Sequence, residues 1–151
     1  MMDTRFELID RCTTFNELLH DMELLLNKEH LFFGHGTGNA MDESMAILMY
    51  LSESNVVLDE QQLKTSICDQ VQEKAKEVLY QRVTESKPLP YITNEAYFCG
   101  KKFYVDERVL IPRSPIAELI NNRFEPWLNP NSINRVLEIG TGSGCIALSI
   151  A

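Results

Sequence analysis

The sequence has no long apolar run and no paired cysteine spacing, and each absence excludes a class of protein. Without an apolar run of bilayer length no membrane-spanning helix is expected, and no secretory leader is recognisable. The cysteines are scattered and do not suggest a disulfide framework: Cys12, Cys68, Cys99 and Cys145. The sequence therefore predicts a protein of the reducing cytoplasm without membrane association.

Histidine is also scarce, with three residues in the chain. His20 and His30 have no other metal-ligating residue at a useful spacing. We therefore expect both at the surface and predict no metal site.

Basic residues are fewer than acidic ones, 14 against 22, and the imbalance is local. Residues 1–87 hold 16 Asp and Glu against 8 Lys and Arg, whereas residues 88–151 hold 6 against 6. Such a surface repels phosphate backbones and attracts basic proteins, so direct nucleic-acid binding by this part is disfavoured. A merely solvated helical surface explains the same excess equally well.

Apolar residues at helical spacing dominate the amino-terminal part. Thr14 and Glu17 have the spacing of a capping box ahead of one amphipathic helix. Asn39 or Asp42 can cap a second helix, and a third helical block runs over 59–84 with an interruption near Thr65. Because three such stripes can bury one another, the pattern predicts an all-helical domain over 1–87.

A β-hairpin is predicted to link this domain to the rest, over 88–111. Pro88 and Pro90 bias the preceding residues away from helix and so end the helical pattern. Aromatic and β-branched residues at 91–92 and on either side of Gly100 predict two strands with a tight turn at Gly100, and a third short strand is expected at 109–111.

The chain has two glycine-rich segments, and their predicted structures differ. Gly34–Gly38 follows a helix and has no lysine after it, so it is predicted to be an inter-helix loop and no phosphate cradle. The second segment is predicted to be a strand, a glycine turn and the start of a helix, RVLEIGTGSGCIALSIA over 135–151.

The second segment favours one kind of cofactor. A nicotinamide site would need Gly or Ala where Cys145 stands. Glycines 140, 142 and 144 let a ligand lie against the backbone, and the carboxylate of Glu138 would attract a cationic amino group and repel a pyrophosphate. S-adenosylmethionine carries such an amino group.

Two motifs together resemble a known family. DERVLIPRSPI over 106–116, followed about 20 residues later by LEIGTGSG over 137–144, is similar to the HemK-like protein-glutamine methyltransferases. That family is a branch of the class I S-adenosylmethionine-dependent enzymes. The resemblance implies an α+β fragment: the helical domain, the hairpin linker and, over 112–151, the start of a Rossmann-like α/β methyltransferase domain.

Further motifs indicate a branch of that family. GHGT at 34–37 and NAMDE at 39–43 resemble the branch that methylates the third large-subunit ribosomal protein. Ser114-Pro115-Ile116 departs from the release-factor branch, which is kept as an alternative. The resemblance thus implies transfer of a methyl group to a glutamine side-chain amide nitrogen of that ribosomal protein.

The resemblance also assigns residues. Those expected to line S-adenosylmethionine are Glu138, Gly140, Thr141, Gly142 and Gly144, with Ile111, Pro112 and Arg113 closing over it or bracing its loop. Arg113 could equally be only a structural salt-bridge partner. Since the implied substrate is basic, the candidate acids that recognise it are Glu17, Asp21, Asp42 and Glu43.

One expected motif does not occur. The family's Asn-Pro-Pro-Tyr segment, which holds the target amide, is not found in these 151 residues. No catalytic residue is therefore assigned, and we expect an amino-terminal fragment that is inactive by itself. The alternative from another class is a non-catalytic module whose acidic helices bind a basic protein.

Overall fold

The helices and strands of the chain fall into two units, one ending at Thr93 and the other running from Asn94 to Ala151. The structure is a computed structural model and describes residues 4–54 and 57–151. The domain boundaries predicted at residues 87 and 111 stay predictions.

Within the described residues of the amino-terminal unit, the regular elements are helices and 3-10 turns. Short 3-10 turns at Thr4–Phe6 and Ile9–Arg11 precede its helices. The helices are α1 (Phe15–Lys28), α2 (Ala40–Leu51), α3 (Glu60–Leu63), α4 (Asp69–Val83) and α5 (Leu89–Thr93). Across the described part of the chain, no helix has both the length and the apolarity needed to cross a bilayer.

The start of α1 confirms the predicted cap. The hydroxyl of Thr14 accepts a hydrogen bond from the amide of Glu17, and the Glu17 carboxylate accepts one from the amide of Thr13 at 2.7 Å. These bonds satisfy amide groups that have no partner within the helix. Backbone bonds from Phe15 to Thr65 and from Ile67 to Thr13 then tie this end of α1 to the break between α3 and α4.

The core of this unit is the set of apolar stripes that the helices turn toward one another. α1 packs on α2, and α4 packs on both α2 and α5. Fully buried side chains come from each of the long helices: Leu18, Met22, Leu26, Ile47, Leu48 and Leu79. The predicted interruption near Thr65 is confirmed by the gap between α3 and α4.

The prediction that residues 91–92 contribute to a strand is wrong, because these residues lie in α5. Pro90 occupies the second position of the helix, where a missing backbone amide costs no hydrogen bond. Leu89 is buried and Ile92 packs against the helical core, so burial stabilises this short helix.

The carboxy-terminal unit contains the predicted hairpin. Strands β1 (Glu95–Phe98) and β2 (Lys101–Tyr104) pair antiparallel, with Phe98 opposite Lys101. Gly100 has a φ of +73°, a conformation that glycine adopts without strain, so the predicted tight turn is confirmed. Two short helices follow, α6 (Ile116–Asn121) and α7 (Cys145–Ile150).

Two other expected strands do not form. Residues 109–111 and 136–139 are irregular and have no strand pairing in the part of the chain that the structure describes. Leu137 is 86% exposed and Ile139 91% exposed. A strand exists only through hydrogen bonds to a neighbour, and the hairpin pairs its two strands with each other.

Cysteine accessibility gives a first testable expectation. The buried Cys12 thiol donates to the Leu8 carbonyl and the Asp21 carboxylate, and burial, followed by the Asp21 charge, raises the pKa of Cys12 from 9.0 to about 12. The thiolate is the nucleophile, so iodoacetamide should alkylate exposed Cys68 and spare Cys12 in the native protein. Mass spectrometry of timed digests measures both rates.

The same shift predicts a pH window. Because the pKa of Cys12 is raised in the folded protein, its contribution to the free energy of unfolding is fully present below pH 9.0. This contribution is lost as the pH rises toward about 12. Protection of Cys12 should therefore persist at neutral pH and disappear in urea. Equal alkylation rates of Cys12 and Cys68 in the native protein would contradict the burial.

Candidate functional site

A small apolar cluster supports the glycine turn of the carboxy-terminal unit. Phe98 and Phe103 of the hairpin bury one side of Cys145, the first residue of α7. The Lys101 ammonium also donates to the carbonyl of Leu148 at 2.6 Å, near the end of α7. The hairpin therefore fixes the helix that follows the turn.

The turn itself has the backbone that alternating glycines permit. Gly140, Gly142 and Gly144 have φ values of +76°, +56° and +77°, which side-chain-bearing residues adopt only at a cost. The Gly144 amide donates to the carbonyl of Thr141 at 2.9 Å, which closes the turn. A Cβ atom at Gly140 would meet nothing within 4 Å, so that stretch of backbone is open to an approaching group.

Glu138 lies beside the turn, as its position in the sequence predicts. Its carboxylate accepts a hydrogen bond from the amide of Ala147 at 3.1 Å. One carboxylate oxygen is thus engaged in the first turn of α7, and the side chain is half-buried. This arrangement places a negative charge next to the open glycine backbone.

The segment before α6 approaches the same turn. A Cβ built on Gly142 would lie 4.0 Å from a methyl carbon of Val109. Ile111 is buried at 4% exposure, Pro112 is half-buried and Arg113 is exposed. The Pro112–Pro115 segment therefore begins three residues after Val109, a residue that lies close to the glycine turn.

An ion pair stiffens the start of that segment. Arg108 donates from its backbone amide to Asp106 at 3.0 Å and from its guanidinium to the other carboxylate oxygen at 2.5 Å. These hydrogen bonds hold the pKa of Asp106 at about 2, so its charge persists at neutral pH. The amide of Val109 completes the turn on the carbonyl of Asp106 at 3.0 Å.

The four acids predicted to recognise substrate have different surroundings. Glu17 caps α1, and Asp21 accepts from the Cys12 thiol. Asp42 accepts from the Gly38 amide and the Asn39 side chain at the start of α2. Much of the charge of these three side chains therefore serves local structure.

Glu43 differs from the other three because it is buried, with 3% exposure. It lies on the same stripe of α2 as Ala40 and Ile47, which turns it toward the core. Its carboxylate forms an ion pair with Arg82 of α4, also buried. Glu43 therefore offers no charge to a partner at the surface.

The buried pair anchors the amino-terminal glycine loop, a role that the sequence reasoning missed. Arg82 donates to the carbonyl of Phe32 at 2.9 Å, and Glu43 accepts from the Thr37 hydroxyl at 3.0 Å. The two bonds bracket Gly34 and Gly36. A signal was present, since Arg82 stands between Leu79 and Val83 on the buried stripe of α4.

Over most of its length the chain is similar to protein-glutamine methyltransferases, which confirms the resemblance seen in its motifs. Two of these relatives are named ribosomal protein uL3 glutamine methyltransferase. One, from Francisella tularensis subsp. tularensis, is 41% identical over 127 residues, 82% of this chain and 40% of the relative. Another, from Xanthomonas campestris pv. campestris, is 36% identical over 141 residues, 93% of this chain and 46% of the relative.

The chain spans less than half the length of these two relatives. No family model matches the chain. Its mixed architecture, helices with a two-stranded sheet, suits a portion of such an enzyme.

Proposed function

We propose that the whole protein transfers a methyl group from S-adenosylmethionine to the side-chain amide nitrogen of a glutamine in ribosomal protein uL3. The observation that carries this proposal is the sequence identity, 36–41% over 82–93% of the chain, to two proteins named ribosomal protein uL3 glutamine methyltransferase. The activity is proposed for the whole protein, because these 151 residues contain no Asn-Pro-Pro-Tyr segment.

The residues of the glycine turn fit the cofactor. Three alternating glycines with positive φ leave backbone exposed, and a Cβ at Gly140 would project into open space. The carboxylate of Glu138 beside this backbone suits the cationic amino group of a methionine moiety. We assign Glu138, Gly140, Thr141, Gly142 and Gly144 to the cofactor, with Ile111, Pro112 and Arg113 bracing the turn.

We also infer that residues 136–150 form the first strand, turn and helix of a class I methyltransferase domain. This segment is apolar and leaves Leu137 and Ile139 almost fully exposed, which suits a parallel strand whose two faces are covered by other elements of a complete domain. Helix α7 follows the glycines directly, as a βα unit of this class requires.

The reaction makes specific demands on the protein. When bound, S-adenosylmethionine would supply the electrophilic methyl group. A glutamine amide nitrogen is a weak nucleophile because its lone pair is delocalised. The protein must therefore hold the amide in line and accept hydrogen bonds from its hydrogens. An asparagine oxygen and a proline carbonyl of the absent segment are suited to that task.

Two features favour a ribosomal-protein substrate over a release factor. The two relatives described above are named for the ribosomal protein uL3. The chain also has Ser114-Pro115-Ile116 at a position where the release-factor branch differs. The acidic amino-terminal unit suits a basic protein and disfavours direct binding to nucleic acid. A cytoplasmic location follows from this substrate.

The test compares substrates in parallel. The whole protein is incubated with purified uL3 or with a release factor, and with S-adenosylmethionine carrying a deuterated methyl group. Tandem mass spectrometry should find one labelled glutamine in uL3 and none in the release factor. Label only in the release factor would select the alternative branch. Tight binding of uL3 without label would leave the non-catalytic module as the function.

A further inference from the structure

An acidic groove crosses the amino-terminal unit between its first 3-10 turns and the outer face of α4. The groove has a volume of about 810 Å³. Its carboxylates come from both walls: Glu7 and Asp10 from one, and Asp69, Glu73 and Glu77 from α4. None of these five acids is among those assigned to substrate from the sequence.

The negative charge of the groove is only partly neutralised from within. Lys76 lies between Asp10 and Glu73, at 2.6 Å and 2.5 Å, and its hydrogen bond to Asp10, then that to Glu73, raises the pKa of Lys76. Within residues 4–54 and 57–151, no ion pair engages Glu7 or Glu77. Lys74 also lines the groove, and its ammonium group lies over the Tyr50 ring, 4.5 Å from the centroid. Two lysines therefore stand against five carboxylates, and the groove keeps negative charge for further cations.

The groove also has an aromatic side. The rings of Phe6 and Tyr80 meet edge to face, with centroids 6.4 Å apart. Phe6 is buried, whereas Tyr80 is 45% exposed and lies one helical turn beyond Glu77 on α4. An exposed tyrosine next to carboxylates can hold both the aliphatic stem and the cationic head of a Lys or Arg side chain.

We propose that this groove docks a Lys- or Arg-bearing segment of the protein substrate, with Glu73, Glu77 and Tyr80 as the principal contacts. Naming the occupant as a segment of uL3 rests on the proposed function. The choice of a basic polypeptide rests on charge complementarity and on the Lys76 ammonium between two carboxylates.

Binding can be measured without cofactor or catalysis. The 151-residue chain is titrated into a fluorescein-labelled peptide of alternating Lys and Leu, and fluorescence anisotropy gives the affinity. Replacing Glu73 and Glu77 together by Gln should weaken binding about tenfold. The matched control replaces Glu60 and Glu85, exposed acids outside the groove, in the same way and changes the net charge equally.

A second pair of variants tests the aromatic contact. Tyr80→Ala should weaken peptide binding about tenfold, whereas Tyr80→Phe keeps the ring and should bind nearly as the parent does. Circular dichroism melts confirm that each variant is folded before its affinity is compared.

Several outcomes would overturn the proposal. Equal weakening by the groove pair and the control pair would mean that net charge alone attracts the peptide. No weakening by the groove pair would place the peptide elsewhere. Sedimentation showing a dimer that Glu73→Gln with Glu77→Gln dissociates would mean that a second copy occupies the groove. Failure of the proposed methyl transfer is a separate result, because it leaves this peptide affinity unchanged.

Discussion

Replacing Arg82 by methionine is expected to lower the free energy of unfolding by about 3–5 kcal/mol, because it leaves the Glu43 carboxylate buried without its partner. Both side chains of the pair are about 95% buried. Methionine nearly preserves the length of the side chain, so the loss reflects the unpaired charge and the missing hydrogen bonds more than a cavity. Urea unfolding followed by the helical circular dichroism signal measures the change.

The double variant Arg82→Met with Glu43→Leu is the matched control. Replacing both charges by apolar groups removes the unpaired carboxylate, so most of the lost stability should return. Arg11→Met, at the exposed end of a 3-10 turn, should change stability by less than about 0.5 kcal/mol. If Arg82→Met unfolds at the same urea concentration as the parent chain, the pair does not stabilise the fold.

Hydrogen exchange can show whether the Glu43–Arg82 pair anchors the loop at residues 34–38 or only stabilises the whole fold. Arg82 holds the Phe32 carbonyl and Glu43 holds the Thr37 hydroxyl, so the double variant should release the loop between them. Hydrogen exchange of backbone amides at 34–38 should then rise in the double variant, although its global stability is largely restored. Unchanged exchange there would show that the loop is held by other contacts.

The helices were predictable because their information is local. The Thr14 cap, the break near Thr65 and the Gly100 turn each depend on residues close in the chain, and the structure has all three. Apolar spacing of 3.6 residues identifies a buried face whatever that face packs against. Most of the amino-terminal unit follows from such signals.

The errors arise where tertiary context outweighs local preference. Residues 91–92 have β-forming side chains but form α5, because burial of Leu89 and Ile92 stabilises a helix there. Strands at 109–111 and 136–139 were expected from composition, yet a strand needs a partner that composition does not supply. Glu43 was taken as a surface charge because sequence alone does not reveal Arg82, 39 residues later, as its partner.

The candidate site shows the same division. Positive φ at the three glycines of the turn follows from their alternation, and the structure has it. The position of Val109 near Gly142 and the grouping of the groove acids do not follow from the sequence, because packing brings distant parts of the chain together. Asp10 and Lys76, for example, are 66 residues apart.

Replacing Gly142 by valine is expected to abolish S-adenosylmethionine binding by the whole protein. The φ of +56° costs a side-chain-bearing residue about 1–2 kcal/mol, and β-branching raises that cost. The nearest group on the protein side is a Val109 methyl carbon, 4.0 Å from the new Cβ, so packing against the protein is not the obstacle. The loss of binding is instead expected from backbone strain and from obstruction of the ligand's approach. Isothermal titration calorimetry measures the loss of affinity.

The matched control is Gly36→Val, because Gly36 also has a positive φ, +109°, and a Cβ there meets nothing within 4 Å. It imposes backbone strain in the amino-terminal loop, to which we assign no cofactor, so cofactor affinity should be unchanged. Gly142→Ala adds one methyl group at the same φ and should bind with intermediate affinity. A folded Gly142→Val protein that binds S-adenosylmethionine with the parent's affinity would show that the cofactor does not lie against this turn. The cofactor assignment of Glu138 and its neighbouring glycines would then be wrong, whereas the uL3 substrate would still be supported by the similarity to the two relatives.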